Sequence, residues 1–136
     1  MLDDTHRIVA GAVLLSMIGI AYGGTFVLRV TRGGVPANDL QRRFYRAGHA
    51  HAGVLVILGL LVLVLIRAND VAAPWSAGPY GILGAAILMP TGFFLSVLGR
   101  DPESPNRLII LLWAGAAMLS VGLLGAGIGL ITAGVG

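Results

Sequence analysis

Four apolar runs follow one another along the chain, each near the ~20 residues that a helix needs to cross a bilayer. They extend from Ile8 to Val30, Ala47 to Ile66, Tyr80 to Gly99 and Leu108 to about Gly134. Runs of this length constrain the fold more than any other feature. A membrane-spanning strand is about half as long and alternates in polarity, whereas Val54–Leu55–Val56–Ile57–Leu58 and Leu108–Ile109–Ile110–Leu111–Leu112 are apolar on every side. In hydrocarbon, a helix satisfies its backbone groups within its own segment. The expected fold class is all-α: a polytopic membrane protein, one four-transmembrane-helix bundle over residues 1–136.

Composition supports the same class. Hydrophobic residues make up 57% of the chain and charged residues 11%, too few to solvate a water-soluble globule, and a disordered chain would be poor in apolar residues. There is no cysteine, which removes disulfides, thiolate metal sites and iron–sulfur clusters. The first run follows Asp3 and Asp4 and is longer than the about 7–15 residues of a signal-peptide core, so it is expected to be retained.

Arginine placement gives an expected orientation. Arg29, Arg32, Arg42, Arg43 and Arg46 surround the first connection and Arg100 and Arg107 the third, against Arg7 and Arg67 at the opposite end. That asymmetry predicts a cell-membrane protein with these two connections in the cytoplasm and both termini extracytoplasmic. Trp75 and Tyr80 then fall at the outer headgroup level as interfacial anchors. The basic residues sit beside apolar runs and form no stripe with stacking aromatics, so no nucleic-acid partner is expected.

The connections carry signals of their own. Gly33, Gly34 and Pro36 interrupt the first helix, and Asn38 with Gln41 three residues on reads as a capping box. The second helix is therefore expected to begin there and to carry Arg42, Arg43, Phe44, Tyr45 and Arg46 at the lipid interface, as a topology anchor or as a contact for anionic lipid. In the third connection Ser104 reads as a cap with Pro105 as the first residue of the fourth helix. Pro90 is expected to free the Ala86 carbonyl and kink the third helix, with Thr91 able to satisfy a displaced backbone group. Small residues at Gly19 and Gly23, Gly81 and Ala85, and Gly125 and Gly129 allow close helix contact, within the bundle, in a homo-oligomer or in a larger membrane complex.

The stretch Gly48–His49–Ala50–His51–Ala52–Gly53 places two imidazoles where the second helix enters the bilayer. Ionisable groups at such depths are rare and tend to be functional. Residues i and i+2 lie about 200° apart on a helix, so His49 and His51 cannot chelate one ion but can each serve a different neighbour. A neutral imidazole can ligate haem iron or a transition metal, or relay a proton; equally, a histidine bonded to a neighbouring helix needs no cofactor. His6 lies roughly 30 Å away along the first span, too far to complete the pair. Tyr22, Thr25 and Arg29 of the first helix, Thr91 and Ser96 of the third and Trp113 of the fourth share the depth of the pair and form the expected polar cluster. The bundle offers no buried carboxylate for an acid–base dyad, and no serine triad, phosphate loop or zinc signature occurs.

The run Phe44–Tyr45–Arg46–Ala47–Gly48–His49–Ala50–His51–Ala52–Gly53–Val54–Leu55 resembles that of small four-helix bacterial membrane proteins in which a histidine–any–histidine pair opens an apolar helix. It is also weakly similar to the haem-ligating helix of haem–copper oxidase subunit I, whose two histidines bind haems on opposite faces. The resemblance implies His49 and His51 as axial ligands, with haem b or a transition metal as the cofactor. It covers about a dozen residues, and the further histidines, copper ligands and proton-channel carboxylates of the oxidase have no counterpart, so oxygen reduction by this chain alone is not implied. Three functions are compatible with the sequence: a haem- or metal-binding membrane protein, a non-catalytic accessory or assembly subunit of a larger complex, and an oligomeric channel or carrier.

Overall fold

A computed structural model describes residues 2–135. Four helices account for most of the chain: α1 (Asp4–Thr31), α2 (Asp39–Ala68), α3 (Gly78–Leu95) and α4 (Ile109–Val135), with a short 3-10 turn at Trp75–Ala77 leading into α3. All four, α3 with its leading turn, are long and apolar enough to cross a membrane, and no strand occurs among the described residues. The chain is an all-α, multi-pass membrane bundle.

The helices pack in chain order, with α3 contacting both α2 and α4 extensively while α1 leans mainly on α2. Leu55, Val56, Ala85, Ala86 and Met89 form one buried cluster, and Val62, Ile66, Val71, Ile82 and Ala126 form a second nearer the loop between α2 and α3. Val30, Tyr45 and Val97 form a third at the arginine-rich end. Outside these clusters, large apolar side chains such as Leu15, Ile18, Val54, Ile87 and Val121 are exposed, as a lipid-facing surface requires.

The α3–α4 contact depends on glycine. A Cβ at Gly92 would come within 2.3 Å of the Leu112 amide nitrogen, and one at Gly122 within 2.8 Å of the Gly78 carbonyl oxygen. The small-residue pairs are therefore used largely inside one protomer. Gly81 meets Gly122, and a Cβ at Gly129 would lie 2.6 Å from Trp75 Cβ and from Val71 Cγ1. The Gly125–Gly129 seam, open to a second copy by sequence, is covered by Trp75 of the same chain.

Two boundaries differ from the sequence expectation. The third apolar run reaches Gly99, but α3 ends at Leu95 and the chain turns through Gly99 at φ +128°. Helix α4 starts at Ile109, and Asn106, not Ser104, organises its entry: its side-chain oxygen accepts from the Leu108 amide at 2.8 Å. Asn106 also donates to the Ser96 and Leu95 carbonyls, at 2.7 and 2.9 Å, which ties the end of α3 to the start of α4. Pro105 consequently stays in the turn. Within α3, Pro90 is buried, and the Thr91 hydroxyl donates to the Ile87 carbonyl at 2.6 Å and not to the freed Ala86 group.

Candidate functional site

The depth and rotation of the histidine pair are set by the first turn of α2. The capping box is present: the Asn38 side chain accepts from the Gln41 amide at 2.9 Å, and Gln41 accepts from the Asn38 amide at 3.1 Å. The remaining donors of both residues reach across to the other connection. Asn38 Nδ2 donates to Asp101 Oδ1 and the Pro102 carbonyl, both at 2.8 Å, while buried Gln41 donates to the Val97 and Gly99 carbonyls at 3.0 and 3.1 Å. Helix α2 thus enters the bundle with Gln41, Tyr45 and Gly48 facing α3, and the face is fixed before the apolar span begins. Gly48 permits the approach, because a Cβ there would lie 2.8 Å from the Phe94 ring.

With that face turned inward, His49 and His51 fall on opposite flanks. His49 points to α1, where a Cβ at Gly24 would come within 3.2 Å of its Nε2 and one at Gly23 within 4.0 Å of its Nδ1. The ring fills the notch left by this glycine pair. His51 points to the other flank, with its ring centroid 5.0 Å from that of Phe93, which in turn packs edge-on against Phe44. Its Nδ1 lies 2.8 Å from the Ala47 carbonyl oxygen. A carbonyl can only accept, so Nδ1 carries the hydrogen, and in the neutral ring the lone pair is left on Nε2. Both rings are half-buried.

The expected polar cluster does not converge on the pair. Tyr22 is 77% exposed, and Thr25 and Arg29 share its outward face of α1. Thr25 spends its hydroxyl on the Tyr22 carbonyl, and Trp113 is exposed on α4. Ser96 is buried, with a hydroxyl that has no partner among the described residues. These side chains share a depth along the bundle without facing one another, because helices that are nearly apolar all round carry little information about rotation.

A second polar group, not anticipated from the sequence, lies at the opposite end. Asp3 caps α1 by accepting from the His6 amide at 2.9 Å and also pairs with the His6 ring. Its other oxygen is 3.4 Å from Arg67 Nη2 on α2, and the His6 ring lies 6.2 Å from Tyr80. The His6 amide bond, followed by the contact with the His6 ring, holds the Asp3 carboxyl below its ordinary pKa. The available signal was an aspartate immediately before an apolar helix, the usual N-cap pattern.

As a ligand set, the site offers single imidazoles. No group of three or more His, Cys, Asp or Glu side chains that could hold a metal ion occurs among the described residues. Haem supplies four nitrogen ligands itself and needs one or two from the protein, so one oriented imidazole fits haem better than a bare ion. Of the two, His51 is the one that could offer a ligand, with one ring nitrogen bonded to a carbonyl and the other left as an acceptor. Comparison with protein-family models, with curated proteins and with solved structures found no match.

Proposed function

We propose that this chain is a small protein of the cell membrane that binds haem through His51 Nε2, with both termini outside the cytoplasm. The observation that supports the reading is the 2.8 Å contact of His51 Nδ1 with the Ala47 carbonyl, which engages one ring nitrogen and, in the neutral ring, leaves Nε2 as the acceptor that axial ligation uses. Haem bound there would supply one-electron chemistry, and the chain's own contribution is the fixed imidazole, flanked by Phe93 and set at the edge of the apolar span. His49 serves as packing against the glycine notch of α1. The proposed orientation rests on seven arginines at one end against two at the other.

The deciding experiment is a visible spectrum of the protein purified in mild detergent after expression with haem supplied. A Soret band lost in His51→Ala and kept in His49→Ala supports the proposal. A protein without a band, or a band indifferent to His51, sinks it. Orientation is tested separately with a cytoplasm-only reporter fused to the C-terminus, which should be silent.

A second reading, a non-catalytic subunit of a larger membrane complex, is favoured by α1: none of its most apolar window is buried, and glycines 11 and 19 face open space. Large subunits that co-purify with the chain, without a chromophore, would select it. The oligomeric channel or carrier reading has less to support it, because the small-residue seam of α4 that would close a pore between copies is occupied within the protomer, Gly122 by Gly78 and Gly129 by Trp75 and Val71.

A further inference from the structure

The first two turns of α2 have an inner face and an outer face of different character. Inside, Gln41 and Tyr45 are buried against α3 and the turn that follows it. Outside, Arg43 and Arg46 are exposed, and among the described residues neither makes an ion pair; Arg42 has only a 3.4 Å pair with Asp39. Positions 43 and 46 are one turn apart on one side of the helix, so their guanidinium groups can reach the same small anion.

What lies beyond them along the same side is also informative. Ala50 comes next, exposed and small, followed by Val54, Ile57 and Leu61, which are 63%, 57% and 54% exposed. This strip is covered by neither α1 nor α3. Two unpaired guanidinium groups at the end of an apolar span, a small exposed side chain one turn deeper and then exposed apolar side chains on about 16 Å of helix between Arg46 and Ile57 match the parts of a phospholipid in order. A phosphate would sit on the arginines, the glycerol region over Ala50 and an acyl chain along the remaining side chains.

We propose that this outer face of α2 is a binding site for an anionic phospholipid, with Arg43 and Arg46 as the headgroup ligands. Guanidinium groups suit the role because their fork matches phosphate oxygens and they stay charged at every physiological pH. The interlock of Asn38 and Gln41 with the α3–α4 turn holds the helix turn that carries the arginines in place, while their exposed side chains stay free to meet a phosphate. A net negative headgroup is favoured over a zwitterionic one, because the latter carries its own cation to the arginine cluster.

The test uses the full chain in neutral detergent, with phosphatidylglycerol or phosphatidylcholine of identical acyl chains added and lipid adducts counted by native mass spectrometry. Phosphatidylglycerol should be retained preferentially, and R43Q/R46Q should weaken that binding about 25-fold, at about fivefold for each arginine near the membrane surface. R107Q, at the other connection, should leave it unchanged. A50W, which puts bulk between the arginines and the apolar strip without altering charge, should also weaken it. Equal retention of the two lipids by the wild type would overturn the proposal. So would an effect of R107Q as large as that of R43Q/R46Q, which would mean diffuse attraction. Displacement of the lipid by an equal concentration of soluble glycerol phosphate would identify a site for free phosphate and overturn it as well.

Discussion

The Nδ1 of His51 hydrogen-bonds the carbonyl oxygen of Ala47, one turn earlier on the same helix, at 2.8 Å. The bond commits one ring nitrogen to the backbone and leaves the other as an acceptor beside Phe93, whereas His49, two residues away, packs against Gly24 of α1. The two histidines are therefore predicted to respond differently to replacement. His51→Ala should abolish haem retention, read as Soret absorbance per protein, while His49→Ala should keep most of it. Loss on replacement of His49 alone would reverse the assignment.

The glycine notch that receives His49 gives a packing prediction. Gly24→Leu overfills the contact between α1 and α2 and should cost about 1–3 kcal/mol. Gly19→Ala, where an added Cβ meets nothing within 4 Å, should be close to neutral. Thermal unfolding in detergent compares the two, and equal effects would argue against the notch.

Gly129 distinguishes packing within a protomer from contact between copies. Its Cβ position is 2.6 Å from Trp75 and Val71, so Gly129→Leu should displace the loop before α3 and lower the unfolding temperature of the protomer itself. Unchanged stability with a shift to slower or faster sedimentation would instead place the seam between copies.

The bridge between the two arginine-rich connections rests on Gln41, which donates to two carbonyls from a buried position. Gln41→Ala should destabilise by about 1–3 kcal/mol, the usual cost of leaving buried polar groups unpaired. Gln41→Glu should be worse at neutral pH, because a carboxylate cannot donate to those carbonyls. Matching denaturation curves for the two variants would be inconsistent with this.

Asp3 provides a pH dependence whose sign is fixed. Its carboxyl is lowered in the folded protein, so the stability it contributes is complete above its ordinary value of 3.8 and is lost as pH falls through the lower folded value. The difference in unfolding temperature between wild type and Asp3→Ala should shrink over that acid range. A difference that stayed constant from neutral pH downward would count against the cap.

The sequence by itself determined the number of helices, their approximate ends and the capping box at Asn38 and Gln41. Those are local properties: apolar length, a breaking glycine and a side chain that reaches three residues along the chain. Even so, local signals competed at the start of α4, where Ser104–Pro105 looked like a helix entry. Asn106 took that role because it alone also reaches the Leu95 and Ser96 carbonyls. The opposite outlook of His49 and His51 was legible too, since it follows from helical spacing. Which neighbours they would meet was not, and neither was the outward turn of Tyr22, Thr25 and Arg29. Helices such as α3 and α4, apolar nearly all round, have no polar face to declare their rotation, so close approaches in the tertiary structure, among them Gly92 to Leu112, Gly122 to Gly78 and Gly48 to Phe94, decided it.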